Sequence, residues 1–147
     1  MKNKTIAAWL ALLGGPLGLH RFYLYGLADV WGWALPIPTA LGLYGLQRAQ
    51  VYGLDDRLGW VLLPCLGLAV AVCALTAIVY GLTSLTQWNQ RFNPQISSEH
   101  GAGRTNWLTV TAVVLALMVG AVALVSTLAF GAQRYFEYQK NDATLAN

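Results

Sequence analysis

From Trp107 to Phe130 the chain runs for 24 residues without one charged side chain. About 20 such residues in a helix cross the ~30 Å hydrocarbon core of a bilayer. A run of this kind belongs either to the core of a large soluble domain or to a membrane span, and composition decides between them. Over 147 residues, 56% are apolar and only 10% are charged, against roughly 25% charged in soluble domains. That leaves too little polar surface to coat a soluble core. Six Trp, seven Tyr and fifteen Gly fit interfacial aromatics and close helix packing in a membrane. The net charge of +3 comes from basic residues scattered singly over loops and tails. They form no basic stripe, which excludes a nucleic-acid partner.

Three further apolar segments precede this one, at Thr5–Leu19 (extendable to Leu24), Leu27–Leu46 and Leu58–Leu85. The expected fold is therefore all-α, an integral membrane protein of about four transmembrane helices in two hairpins. A domain of residues 1–50 would be followed by a second helical pair at 58–132, with a polar loop at 87–106, and by a polar tail at 133–147. Lys2 and Lys4 ahead of Ile6 resemble a signal sequence, but no A-x-A-like site follows, so the first segment reads as a retained helix. Asp29 suits the N-cap of the second segment, and Pro36 and Pro38 bend it by removing backbone donors. Asp55 and Asp56 read as a helix cap and solvated charge rather than half a metal site. Cys65 and Cys73, eight residues apart, would be about 12 Å apart on one helix, too far for a disulfide. Trp60 and Trp88 bracket the third segment as interfacial anchors. In the fourth, Ala112, Ala116 and Gly120, and again Ala123, Thr127 and Gly131, recur every four residues as small packing faces. No internal repeat of fixed period is read.

The stretch Gly14–Gly26 organises the first half. Gly14 and Gly18 have GxxxG spacing, which lets helix backbones approach closely. His20 and Arg21 follow. Arg at a bilayer centre costs roughly 2.5–3.5 kcal/mol, so the pair belongs at an interface, with Phe22, Tyr23 and Tyr25 as headgroup-level aromatics. Asp29 is placed to meet Arg21 there. The motif of Gly14, Gly18, His20, Arg21, Phe22, Tyr23 and Asp29 is thus the candidate structural or interaction site.

Behind a Lys-rich N-terminus and a short apolar helix, Gly18-Leu19-His20-Arg21-Phe22-Tyr23-Leu24 resembles the two-transmembrane ("TM-two") domain family. The likeness covers residues 2–50 and is strongest over Gly18–Gly26. Many relatives have Asp-Arg-Phe where this chain has His20-Arg21-Phe22, and Pro16 and Tyr25 also depart from the pattern. The resemblance implies a membrane-embedded helical hairpin without an established catalytic residue, here in a bacterial-type member with extra C-terminal membrane helices, placed in the inner membrane.

No catalytic triad, Cys/His metal spacing, phosphate-binding glycine loop or intramembrane carboxylate pair is readable. The expectation is a non-catalytic membrane protein without cofactor or metal. It would act as a scaffold or as a partner- or lipid-interaction module, its partners being membrane lipid and a membrane protein or a second copy. The alternative is a small transporter or channel subunit. With four alternating spans, Lys2, Lys4, Arg48, Arg57, Arg134 and Lys140 would share one face and Arg21, Arg91 and Arg104 the other. Both termini would then be cytoplasmic by the positive-inside rule.

Overall fold

The computed structural model describes residues 1–53, 56–95 and 101–145, with side chains as far as residue 140. Asp55 falls outside the described residues. Among those described, every regular element is helical. The chain order is α1 (Lys4–Gly14), a 3-10 turn (Gly15–Leu17), α2 (Leu19–Tyr25), α3 (Val30–Ala34), α4 (Pro36–Tyr52), α5 (Arg57–Leu82), α6 (Leu85–Phe92), a second 3-10 turn (Gly101–Gly103) and α7 (Trp107–Leu145).

α5 is the axis of the bundle. α7 runs antiparallel along it, with Val113 against Gly81, Gly120 against Ala74 and Thr127 against Gly67. Both helices are long and apolar enough to cross a membrane. The centre is built of small side chains: Ala7, Ala8, Ala11, Ala74, Ala77, Ala112 and Ala116 are almost wholly buried, while Leu13, Leu27, Val30, Trp31, Leu117 and Met118 point outward. A protein in water buries its large aliphatic side chains along with its alanines. Alanine inside and large side chains outside is what helices surrounded by hydrocarbon adopt, because small residues let the backbones approach and lipid solvates the large ones.

The first apolar segment does not continue as one helix. α1 ends at Gly14, because Pro16 removes a backbone donor and Gly18 adopts φ 77°, a left-handed conformation that glycine tolerates and other residues resist. The chain turns back on itself. Lys2 Nζ donates to the Leu24 carbonyl and the Asn3 backbone N–H to Tyr23 Oη at 2.8 Å. The turn reaches only as far as Cys73, whose Cβ a side chain on Gly15 would meet at 2.5 Å. That is nine residues from the end of α5 at Leu82, about 14 Å at the helical rise. Gly14 and Gly18 therefore do not share one helix face, though Gly18 still admits a close backbone approach. Gly14 packs inside the hairpin against Leu19, and Gly18 approaches the Gly32 carbonyl.

α3 then packs on α2, and α4 descends along α5 toward its N-terminal end. Gly32 lies beside Phe22, Thr39 Oγ1 donates to the Pro16 carbonyl at 2.9 Å, and Gly42 and Gly45 pack on Leu66 and on Leu62 and Leu63. The break between them falls at Leu35–Pro36, where the prolines forecast it. Together, residues 30–52 extend about 35 Å. The residues read as a polar loop from Gln47 continue α4 to Tyr52, and the tail from Gln133 continues α7 to Leu145.

At the C-terminal end of α5 the bundle carries a lid. α6 buries Trp88, Asn89 and Phe92 and exposes its other face. Trp88 Nε1 donates to the Lys2 carbonyl at 2.8 Å, and Lys4 Nζ donates to the Thr83 carbonyl and Thr105 Oγ1 at 2.9 and 2.6 Å. Lys4 thereby places positive charge at the negative end of the α5 dipole. This is the capped end. Trp88 is fully buried there, so it is a core residue and not the interfacial anchor the sequence suggested. The far, uncapped end holds Arg57, whose guanidinium lies 5.1 Å from the Tyr138 ring of α7. The two termini consequently lie at opposite ends of the bundle. The bundle does not show the four-span arrangement that would place both on one side, because the first hairpin returns to the end from which it starts.

Candidate functional site

Arg21 and Asp29 meet. Arg21 Nε lies 2.5 Å from Asp29 Oδ2 and Nη2 lies 3.1 Å from Oδ1, a bidentate fork of the kind a planar guanidinium makes and an ammonium cannot. Oδ2 also accepts from the Gly32 backbone N–H at 2.9 Å, capping α3. Gly26 between them has φ 87° and ψ 173°, and the Arg21 guanidinium lies 5.0 Å from the Tyr25 ring. The bond from Arg21, foremost, holds the Asp29 carboxyl below its usual value. Phe22 packs on Trp33 at 5.2 Å between centroids.

The same corner is built a second time. Arg48 Nε and Nη2 lie 2.8 and 2.9 Å from Asp56 Oδ2 and Oδ1, and Asp56 Oδ2 accepts from the Gly59 N–H at 2.7 Å, capping α5. Gly53 has φ 84° and ψ 175°, and Arg48 lies 4.9 Å from the Tyr52 ring. Arg48 first, then the Gly59 N–H, lower the Asp56 carboxyl to about 2. Even the close backbone approach recurs, with Gly18 against Gly32 and Gly45 against Gly59.

The sequence carries this duplication at a spacing of 27. Residues 15–33 and 42–60 match at Gly15/Gly42, Gly18/Gly45, Leu19/Leu46, Arg21/Arg48, Tyr25/Tyr52, Gly26/Gly53, Leu27/Leu54, Asp29/Asp56, Gly32/Gly59 and Trp33/Trp60, ten of nineteen positions. The reading that found no fixed-period repeat is corrected. The signal is Arg-x3-Tyr-Gly-Leu-x-Asp-x2-Gly-Trp, which falls once at a junction between apolar segments and once in a polar stretch. One corner lies at the capped end, the other at the uncapped end, so the copies point in opposite directions along the bundle.

Under the lid, the first copy also touches an aromatic cluster. His20 is almost fully buried with its ring 6.0 Å from that of Tyr80, and its Nδ1 has no protein partner among the described residues. Tyr80 meets Trp88 and Phe92 at 5.8 and 6.4 Å, and Tyr25 meets Phe92 at 6.0 Å. Gln47, on the exposed α4 end, occupies the matching position in the second copy. Tyr23 points into the hairpin and accepts from Asn3. Of the seven sequence-predicted residues, His20, Arg21, Phe22, Tyr23 and Asp29 gather around the capped end. Gly14 and Gly18 lie at the turn. Sequence reasoning missed Arg48, Trp88, Phe92 and Lys4. Among the described residues, no three His, Cys, Asp or Glu converge on a point. No protein-family model, curated protein or solved structure matches the chain.

Proposed function

We propose that the chain is a non-catalytic integral membrane protein that crosses the bilayer three times, through α3–α4, α5 and α7. On this reading α1 and α2 enter from the capped end and turn back at mid-depth. Its role is that of a partner- or lipid-interaction module, with α6 lying in the headgroup layer as an amphipathic lid. One observation carries this reading: alanine fills the interior, large apolar side chains face outward along every long helix, and the charged corners sit at the two ends. Membership of the two-transmembrane domain family belongs to the same proposal and rests on the Gly18–Gly26 motif. Resistance of the full-length protein to alkaline carbonate extraction tests the membrane reading, and release into the soluble fraction would overturn it.

A specific contact favours transport as a second reading. The turn of the hairpin meets the helix break at mid-depth, through Thr39 and the Pro16 carbonyl, and broken helices at that depth line the sites of many transporters. The interaction reading predicts that liposomes containing the purified protein show no solute flux. Selective flux that disappears in Thr39→Val would decide for transport.

A further inference from the structure

Resting on three crossings, we propose that the chain has no fixed orientation and inserts into the membrane both ways round, so that its capped end is presented on both faces. Two independent observations lead there.

The first is the distribution of basic residues. Orientation is set by the excess of Lys and Arg near the ends of the spans on one side. With the hairpin folded back, the capped end holds Lys2, Lys4, Arg21, Arg91 and Arg104, and the uncapped end holds Arg48, Arg57, Arg134 and Lys140. Five stand against four. The six-to-three bias of a four-span arrangement does not survive the observed fold.

The second is the inverted duplication. Both ends carry the same Arg–Tyr–Gly–Asp–Gly–Trp corner with the same bidentate bond and the same capped helix start. Tyr and Trp anchor at either interface without preference for side. A corner built this way sits equally well in the cytoplasmic or the outer headgroup layer, so the corners add no bias where charge leaves none.

The test uses the full chain in a bacterial host, fused at its C-terminus in parallel to alkaline phosphatase, active only outside, and to green fluorescent protein, fluorescent only inside. Both fusions should be active. Arg91→Gln with Arg104→Gln should raise fluorescence and lower phosphatase activity, because the uncapped end then holds more positive charge. Arg57→Gln with Lys140→Gln should do the opposite. Activity of one fusion alone, unmoved by either charge pair, would overturn the proposal. Carbonate extraction of the same fusions separates this from the membrane reading: a one-way protein that stays in the membrane defeats only the dual orientation, whereas a released protein defeats the three crossings themselves.

Discussion

The corner at Arg21–Asp29 and the corner at Arg48–Asp56 share bond lengths to within a few tenths of an ångström, the same glycine conformation and the same cap. What differs is the helix leading into each. Ahead of Arg48 the chain is helical from Pro36. Ahead of Arg21 only Leu19 and His20 are helical, because Pro16 stands where the second copy has Leu43 and Gly18 has left the helical region that Gly45 keeps. The proline marks the difference between a continuous helix and a hairpin, while the corner is left intact. The corner is a local unit, set by four or five residues. The depth reached by the helix before it is set separately.

The lid gives the largest expected contrast. Trp88 is fully buried, between Tyr80, Phe92 and the Lys2 carbonyl. Trp88→Ala should cost about 3–5 kcal/mol, as large-to-small core changes do. Tyr52 at the other corner is exposed, and its replacement by Ala should stay within about 0.5 kcal/mol. Thermal melts in detergent measure both. Equal losses would mean that the uncapped corner is covered too.

The paired glycines come next. Gly18→Ala meets both a positive φ, worth roughly 1–3 kcal/mol of strain, and the Gly32 carbonyl. Gly45→Ala meets only tight packing on Leu62 and Leu63, about 1–3 kcal/mol. The same melts should rank Gly18→Ala as the more damaging, and the reverse order would show that Gly18 is helical.

This contrast also marks how far the sequence could be read. Asp29 as a cap, its contact with Arg21, the bend at Pro36 and the α7 face of Ala112, Ala116 and Gly120 all follow from local rules and appear in the fold, whereas Gly131 of the second face meets nothing among the described residues. The reversal at Gly15–Gly18 is only partly legible: Pro16 marks a break, but residues 5–24 are apolar enough to go on past a kink, and the packing of Gly15 on Cys73 and Lys2 on Leu24 makes it a full reversal. α6 was hidden in a stretch read as loop: its eight residues expose a polar face, and its buried Trp88 and Phe92 are apolar only toward partners distant in sequence. The repeat is legible in the sequence, but each copy straddles a boundary between apolar segments.

Smaller effects compare the corners directly. Double-mutant cycles on Arg21→Ala with Asp29→Asn, and on Arg48→Ala with Asp56→Asn, should give nonzero couplings of similar size. Additive losses at one corner alone would end the equivalence. The smallest effect is pH dependence. Both carboxyls bind protons less readily folded than unfolded, so their contribution is complete above the ordinary value of 3.8 and fades as pH falls toward about 2 at Asp56. Melting temperature should fall over that interval, and the fall should be shallower in Asp29→Asn/Asp56→Asn. An unchanged slope would show the pairs to be unformed.

The claim on which topology, charge balance and the inverted duplication all depend is that α1 and α2 fold back. Spin labels at Ile6→Cys and Leu27→Cys, both exposed positions, with Cys65 and Cys73 replaced by Ala, measure it by pulsed dipolar spectroscopy in detergent or nanodiscs. A continuous helix from Lys4 to Leu27 would hold the labels about 30 Å apart. The hairpin predicts a single population at under half that distance, and a distribution centred near the longer value would contradict it.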